Sequence, residues 1–167
     1  KDGRLLPRDT EGEIVVRGDL LMGGYLDQPA ETAKTIVDGW LHTGDLGVID
    51  ARGHLFIRGR LKDLIISGGF NIYPADVEAA LGAHPAVKEC VAFGVDDPKW
   101  GERLEAAVEL KDGQNATPEE LAAIAREILG PIKTPKAVHI VERLPRSAVG
   151  KVLRREAKDA IHPPTKN

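Results

Sequence analysis

The chain has 167 residues, 42% of them apolar and only 4% aromatic, with a formal net charge of −3. That length admits one compact domain, or one domain and part of another, and the apolar content supplies an aliphatic core of Val, Leu, Ile and Ala. Disorder is therefore not the default, and no apolar run approaches the ~18 residues of a membrane-spanning helix. No signal-peptide pattern opens the chain. It begins at Lys1 with no initiator methionine, so a longer parent protein is expected. Charge is unevenly placed: from Pro131 to Lys158 eight Lys or Arg face two acids, a balance of +6 that leaves −9 for the remainder. A basic C-terminal segment on an acidic body suits an anionic ligand bound locally. It does not suit nucleic acid, for which aromatics would be interleaved. Cys90 is the single cysteine, so there is no intrachain disulfide and no cysteine-based metal site. Within the apolar run "ECVAFGV" its thiol is expected to be buried and inert.

The first sixty residues read as β-rich. "GEIVVRG" and "GHLFIRG" are short strands between glycines. "QPAETAKTIVDG" carries a short helix, and "GWLHTGDLGVID" reads as a glycine-punctuated loop leading into a strand. Asp50-Ala51-Arg52-Gly53 is a turn joining that strand to the next. After Arg60 strands and helices alternate. "DLIIS" is a strand and "GGFN" a glycine turn. "YPADVEAALGAHP" is a helix with Pro74 in its first turn and Val77 one turn before Leu81. "VKECVAFGV" and "RLEAAVELK" are strands. Thr117, Pro118 and Glu120 specify the start of a helix by a capping box, and Gly130-Pro131 ends it. "AVHIVE" is a further strand, followed by a Gly-Lys turn and an amphipathic helix from about Val152. The expected fold is α+β: the end of a β-rich subdomain over residues 1–60, then a small α+β sandwich over residues 61–167.

Three short stretches could carry chemistry. In "SAVGKVLRRE", Gly150-Lys151 is not a phosphate-binding P-loop, because Pro145 stands where the first glycine is needed and Val152 where a Ser or Thr is needed. A lysine projected from a sharp turn can still neutralise a phosphate oxygen; equally, it can be a solvated side chain at a helix start. In "HTGDLG", Asp45 follows a turn that exposes its carboxylate to vicinal hydroxyls such as those of a ribose, or simply precedes a strand. His42 and Asp45 lack a third ligand at useful spacing, and the five histidines are scattered, so no metal site is expected. In "GRLKDLIISGGFNIYP", Arg60 and Lys62 flank Leu61 where the two structural styles meet, a place where a chain can rotate. Gly68-Gly69 would let a slender ligand pass close, or would be an ordinary turn.

Taken together, "GEIVVRGDLLMGGYL", "GWLHTGDLG", "GRLKDLIISGGFNIYPADVEAAL" and "LPRSAVGKVLRRE" resemble, in order and spacing, the adenylate-forming enzymes: acyl-CoA synthetases, firefly-type luciferases and peptide-synthetase adenylation domains. The resemblance covers essentially the whole chain. It implies that residues 1–60 are the last subdomain of a large N-terminal adenylation domain and residues 61–167 the mobile C-terminal domain. It further implies that Lys151 is the catalytic lysine, contacting the carboxylate and the α-phosphate as an acyl-adenylate forms. Asp45 matches the position that binds the AMP ribose, Arg60 the arginine beside it, and Lys62 the hinge. Gly68 and Gly69 match the lining of the pantetheine channel, and Trp100, Lys133 and Lys136 match contacts to the CoA nucleotide.

The implied reaction is an acid–thiol ligation: ATP, a carboxylic acid and CoA give acyl-CoA, AMP and pyrophosphate. Mg2+ would be bound mainly by upstream residues outside this chain. "ISGGFNIYP", rather than the "KGF" form, leans towards a fatty acid. The implied partners are the small-molecule acid, ATP, CoA and the N-terminal domain of the same enzyme, in the cytoplasm, with homo-oligomerisation left open. This portion alone is expected to be inactive. An adenylation domain loading a carrier protein, and a non-catalytic binding module of the same fold, are the alternatives.

Overall fold

The computed structural model describes residues 3–164. The chain divides into two compact units, one ending at Lys62 and the other starting at Asp63.

The first unit is built on a single long strand. Its elements are β1 (Gly12–Val16), helix α1 (Pro29–Thr35), β2 (Ile36–Val37), β3 (Trp40–Ile49) and β4 (Leu55–Arg60). All three partners of β3 run antiparallel to it, with β1 along one edge and β2 and β4 sharing the other. Leu41 therefore pairs with both Val16 and Ile36, and Gly47 with both Gly12 and Ile57. The stretch "WLHTGD", expected to be loop, is strand. Ladder bonds on both sides hold it extended although Gly44, at φ +72°, kinks it. The Asp50–Gly53 turn closes the β3–β4 hairpin by a Gly53 amide to Asp50 carbonyl bond of 2.9 Å.

The second unit is a five-stranded sheet with helices on both faces. After a short 3-10 turn at Leu61–Asp63 come β5 (Ile65–Ser67), β6 (Phe70–Ile72), α2 (Pro74–Gly82), β7 (Val87–Asp97) and β8 (Gly101–Leu110). Helix α3 (Pro118–Leu129), β9 (Ala137–Val141) and α4 (Arg154–Ile161) complete it. β7 and β8 form a long antiparallel hairpin, β9 joins β8 in parallel, and β5–β6 attaches at Ser67–Gly101.

The period-2 alternation of the hairpin sorts its side chains onto two cores. Ala92, Leu104, Ala106 and Val108 join Val77, Leu81, Leu121 and Ala125 of α2 and α3 on one face. Val91, Phe93 and Ala107 join Leu144 and Ala157 of α4 on the other. Helix α3 begins at the full capping box of Thr117 and Glu120, and its buried stripe is Leu121 and Ala125. Fully burying a leucine such as Leu121 contributes about 1.5–3 kcal/mol. No helix among the described residues is long and apolar enough to cross a membrane, which says nothing of strands.

Candidate active site

In the first unit, Asp45 and Arg60 are direct cross-strand partners, with Arg60 Nε 3.2 Å from Asp45 Oδ1. Both side chains stay accessible, at 34% and 52% exposure, and Asp45 Oδ2 has no protein partner among the described residues. The stretch of β3 before Asp45 is held by bonds that the sequence alone does not reveal. Thr43 Oγ1 donates to the Ile14 carbonyl at 2.7 Å and accepts from the Asp45 amide at 3.1 Å. Glu13 on β1 bridges His42 Nδ1 at 2.8 Å and the Gly44 amide at 3.1 Å. The "HTGD" segment is thus fixed by β1, and His42 is occupied by Glu13. A shallow cleft in this unit is lined by Gly44, Arg60, Leu61 and Lys62. A larger, more open hollow at 23–33 contains none of the predicted residues.

In the second unit, the Gly-Lys turn is a small closed loop. Ser147 N donates to the Lys151 carbonyl at 2.8 Å, Lys151 N to Ser147 Oγ at 3.2 Å, and Gly150 N to the Ser147 carbonyl at 2.9 Å. Gly150 supplies the φ of +84° this reversal needs, with open space around it. An antiparallel bridge from Arg146 to Val152 shuts the base.

That base is bolted to the sheet: the Arg146 guanidinium pairs with Glu89 and reaches Glu109 at 3.3 Å. Glu109, 2% exposed, also accepts the Leu144 amide at 2.9 Å and the Lys88 ammonium at 2.6 Å. The Leu144 amide first, then Lys88 and Arg146 against the opposing cost of burial, hold its carboxyl down at about 2. The exposed Lys151 ammonium has no ion-pair partner among the described residues. A rigid base presenting an unneutralised cation suits an anion brought from outside.

The predicted CoA residues separate into two groups. Gly68 and Gly69, at φ +58° and +83°, are the two loop residues of the β5–β6 hairpin, a type I′ turn between paired Ser67 and Phe70. The Gly68 amide donates to the Trp100 carbonyl at 2.8 Å, and a Cβ at Gly68 would lie 2.9 Å from the Trp100 ring. Lys136 Nζ stands 5.6 Å from the centre of that ring and Lys99 Nζ 4.9 Å. Gly68, Trp100 and Lys136 therefore converge on one aromatic platform with two cations, Gly69 lies beside it, and Lys99 is an addition. Lys133 belongs elsewhere: its ammonium binds Asp76 of α2 at 2.8 Å.

Lys62 sits in the 3-10 turn at the unit boundary. The next residue, Asp63, is held by Arg154, whose guanidinium reaches Asp63 at 3.0 Å, Glu78 at 2.8 Å and the Ala92 carbonyl at 2.9 Å. The first turn of α4, just after the Gly-Lys loop, is tied in this way to the residue after the predicted hinge. Cys90 is half-buried, bonds the Glu78 carbonyl at 3.3 Å, and is pushed up to about 12, chiefly by burial and then by Glu78 and Glu89. Its inertness follows.

Residues 76–151 match the AMP-binding enzyme C-terminal domain. The chain is 50% identical over 153 residues to a long-chain-fatty-acid–CoA ligase of Bacillus subtilis (strain 168), covering 92% of this chain and 27% of that one. It is 48% identical over 161 residues to a 2-succinylbenzoate–CoA ligase of Bacillus cereus (strain Q1), covering 96% and 33%.

Among solved structures, o-succinylbenzoate CoA synthetase from Bacillus subtilis, in complex with its acyl-adenylate intermediate, superposes with a TM-score of 0.87 at 40% identity. That match covers 95% of this chain and 32% of the other. The amide bond synthetase McbA from Marinactinospora thermotolerans gives 0.84 at 39%, covering 95% and 32%. The chain thus spans about a third, or less, of the length of these relatives. With both the motif-bearing units and these likenesses in agreement, the chain carries the AMP-binding enzyme C-terminal domain over residues 76–151, and along nearly its whole length it is similar to adenylate-forming enzymes.

Proposed function

We propose that the chain is the C-terminal part of an AMP-forming acid–CoA ligase that activates an aliphatic carboxylic acid. The observation that carries this reading is the division of the chemistry between two units. Asp45 and Arg60 lie on the unit ending at Lys62, while Lys151 and the Trp100 platform lie on the unit starting at Asp63. A two-step reaction that first joins carboxylate to AMP and then moves the acyl group to a thiol can use such a division. The hinge at Lys62 lets different faces of the second unit serve successive steps.

In the first step Asp45 Oδ2 accepts hydrogen bonds from the ribose hydroxyls, and Arg60 keeps the carboxylate aimed. Lys151 neutralises charge developing on the α-phosphate oxygens while the carboxylate displaces pyrophosphate. In the second step the Gly68-Gly69 turn gives the pantetheine arm room. Trp100 offers a face to the adenine, and Lys99 and Lys136 offer charge to the CoA phosphates. Lys133, engaged by Asp76, is left out of this set. Mg2+ would be held with the triphosphate by residues outside this chain; the solved Bacillus subtilis synthetase complex with ATP and magnesium ion is a relative in which both are bound.

The fatty-acid lean rests on "ISGGFNIYP" and on the fatty-acid ligase relative, with the succinylbenzoate ligase almost as similar. An amine in place of CoA, as in the amide bond synthetase, is the reading against which the Trp100 platform argues. Carrier-protein loading and a non-catalytic module remain as alternatives. The test is the parent enzyme assayed with palmitate, o-succinylbenzoate, CoA and amine acceptors. Acyl-CoA formed from palmitate supports the proposal. Adenylate formed but transferred only to an amine or a carrier protein overturns the CoA assignment, and no adenylate at all overturns the ligase.

A further inference from the structure

On the α4 face of the second unit's sheet, and using none of the residues assigned above, two imidazoles converge on one buried carboxylate oxygen. Glu105, in the middle of β8, is 1% exposed. Its Oε2 lies 2.7 Å from His139 Nε2 and 2.8 Å from His162 Nε2. His139 is on β9, paired in register with Ala107, and so projects on the same face two residues along. His162 is the C-cap of α4. The three ligand atoms all lie within 4.8 Å of one another, and the two rings meet edge to face with centroids 5.8 Å apart.

From this constellation we infer that Glu105, His139 and His162 form a binding site for a divalent transition-metal ion, zinc by the chemistry of its donors. Two imidazole nitrogens and a carboxylate oxygen are a donor set that zinc accepts, with a fourth position left to water. Tetrahedral coordination at about 2.0–2.1 Å per ligand asks the three atoms to stand about 3.3 Å apart, so each imidazole nitrogen would move roughly half an ångström from the carboxylate oxygen, and the two Nε2 atoms already lie within 4.8 Å of each other. The imidazoles can supply this, being 31% and 33% exposed, and the same exposure gives an ion its entry path.

Glu105 itself does not need the histidines for charge balance. Its other oxygen, Oε1, is gripped by Arg103 through Nε at 2.6 Å and through Nη2, and Arg103 also reaches Asp97 at 3.5 Å. That grip fixes the carboxylate's orientation, the role an outer partner plays at a metal site. Neither imidazole Nδ1 has a protein partner among the described residues, so each can carry its ring's proton and leave the Nε2 lone pair for the ion. The donors come from a central strand, its neighbour and a helix end, so a bound ion would staple α4 to the sheet. The site's place at a helix C-terminus also favours positive charge.

Zinc chloride titrated into the chelator-treated full chain by calorimetry, with thermal unfolding followed in parallel, tests this. The expected result is one ion per chain and a raised melting temperature. His139→Gln and His162→Gln should each weaken binding by more than the about 10–100-fold that outer partners account for. Circular dichroism checks that the variants fold. Cobalt(II) in place of zinc should give the intense visible bands of a four-coordinate centre in the parent chain and lose them in both variants. Absence of stoichiometric binding, or equal binding in the double variant, overturns the site and shows the trio to be a hydrogen-bonded network only. Neither outcome bears on the ligase proposal, because no residue of that site is involved.

Discussion

Asp45 and Arg60 stand opposite one another on β3 and β4, their side chains paired at 3.2 Å, with one carboxylate oxygen still uncommitted. As a surface ion pair it is worth only about 0–1 kcal/mol of stability. As the proposed nucleotide clamp it would contribute far more to binding, since hydrogen bonds to a charged group contribute about 1.5–3 kcal/mol each. Asp45→Ala in the parent enzyme should therefore leave the melting temperature within a few degrees and raise the KM for ATP by roughly 10–100-fold. Equal, small effects on both would make the pair structural.

Lys151 offers a sharper division. Lys151→Ala should reduce adenylate formation, read by pyrophosphate exchange, by on the order of 10²–10³. Thioester formation from supplied acyl-adenylate should stay within a few-fold. The turn itself should survive, because its closing bonds are made by Ser147, Gly150 and the Lys151 backbone rather than by the ammonium. Equal loss in both half-reactions would remove the lysine from the first step.

The elements were largely legible because their signals are local. The capping box at Thr117 and Glu120, the Pro74 start and the alternation along β7 and β8 each act within a few residues. What escaped the sequence is what depends on register. Nothing local says that Glu13 will sit beside His42 and Gly44, because that is decided by how β1 pairs with β3. Lys133 and Lys136 look alike in "KTPK". Only the packing of α2 beside them sends Lys133 to Asp76 and leaves Lys136 to Trp100. The histidines are scattered along the sequence for the same reason: His139 and His162 meet only through the parallel pairing of β8 with β9 and the docking of α4. The glycines of "GWLHTGDLG" argued for a loop, and strand pairing on both edges prevailed.

Gly68 and Gly69 should differ on substitution. Both hold positive φ, so alanine at either costs about 1–2 kcal/mol in backbone strain. At Gly69 the added Cβ meets open space, whereas at Gly68 it meets the Trp100 ring at 2.9 Å. Gly68→Ala should therefore be the more destabilising and should shift Trp100 emission, while Gly69→Ala leaves the emission nearly unchanged. Urea titrations read by fluorescence compare them directly.

Glu109 links the Gly-Lys turn to pH. Its carboxyl is held at about 2 against an ordinary value of 4.5, with the Leu144 amide, Lys88 and Arg146 facing it and Glu89 beside Arg146. A depressed carboxyl stabilises the fold above the unfolded value and loses that contribution as pH falls from about 4.5 towards 2. Allowing for screening at the half-exposed Lys88, the contribution is on the order of 2 kcal/mol. Denaturation measured at pH 7 and pH 3 should show a larger fall for the parent chain than for Glu109→Gln. Parallel curves would mean that the carboxylate is not stabilised in the fold.

The hinge prediction depends on Arg154. By holding Asp63 to Glu78 and to the Ala92 carbonyl, this side chain makes the residue after Lys62 part of the second unit, so the rotation proposed above would be absorbed at Lys62 and just before it. Proline there fixes φ near −65° and removes a backbone donor. Lys62→Pro should accordingly spare one half-reaction and slow the other, with adenylate formation near normal and CoA-dependent turnover reduced at least about ten-fold, a barrier increase of about 1.4 kcal/mol. Arg154→Met should loosen the same junction without locking it, lowering stability while leaving the ratio of the two half-reactions unchanged. Stopped-flow measurement of each step separates these outcomes, and unaltered CoA turnover in Lys62→Pro would place the pivot at another residue.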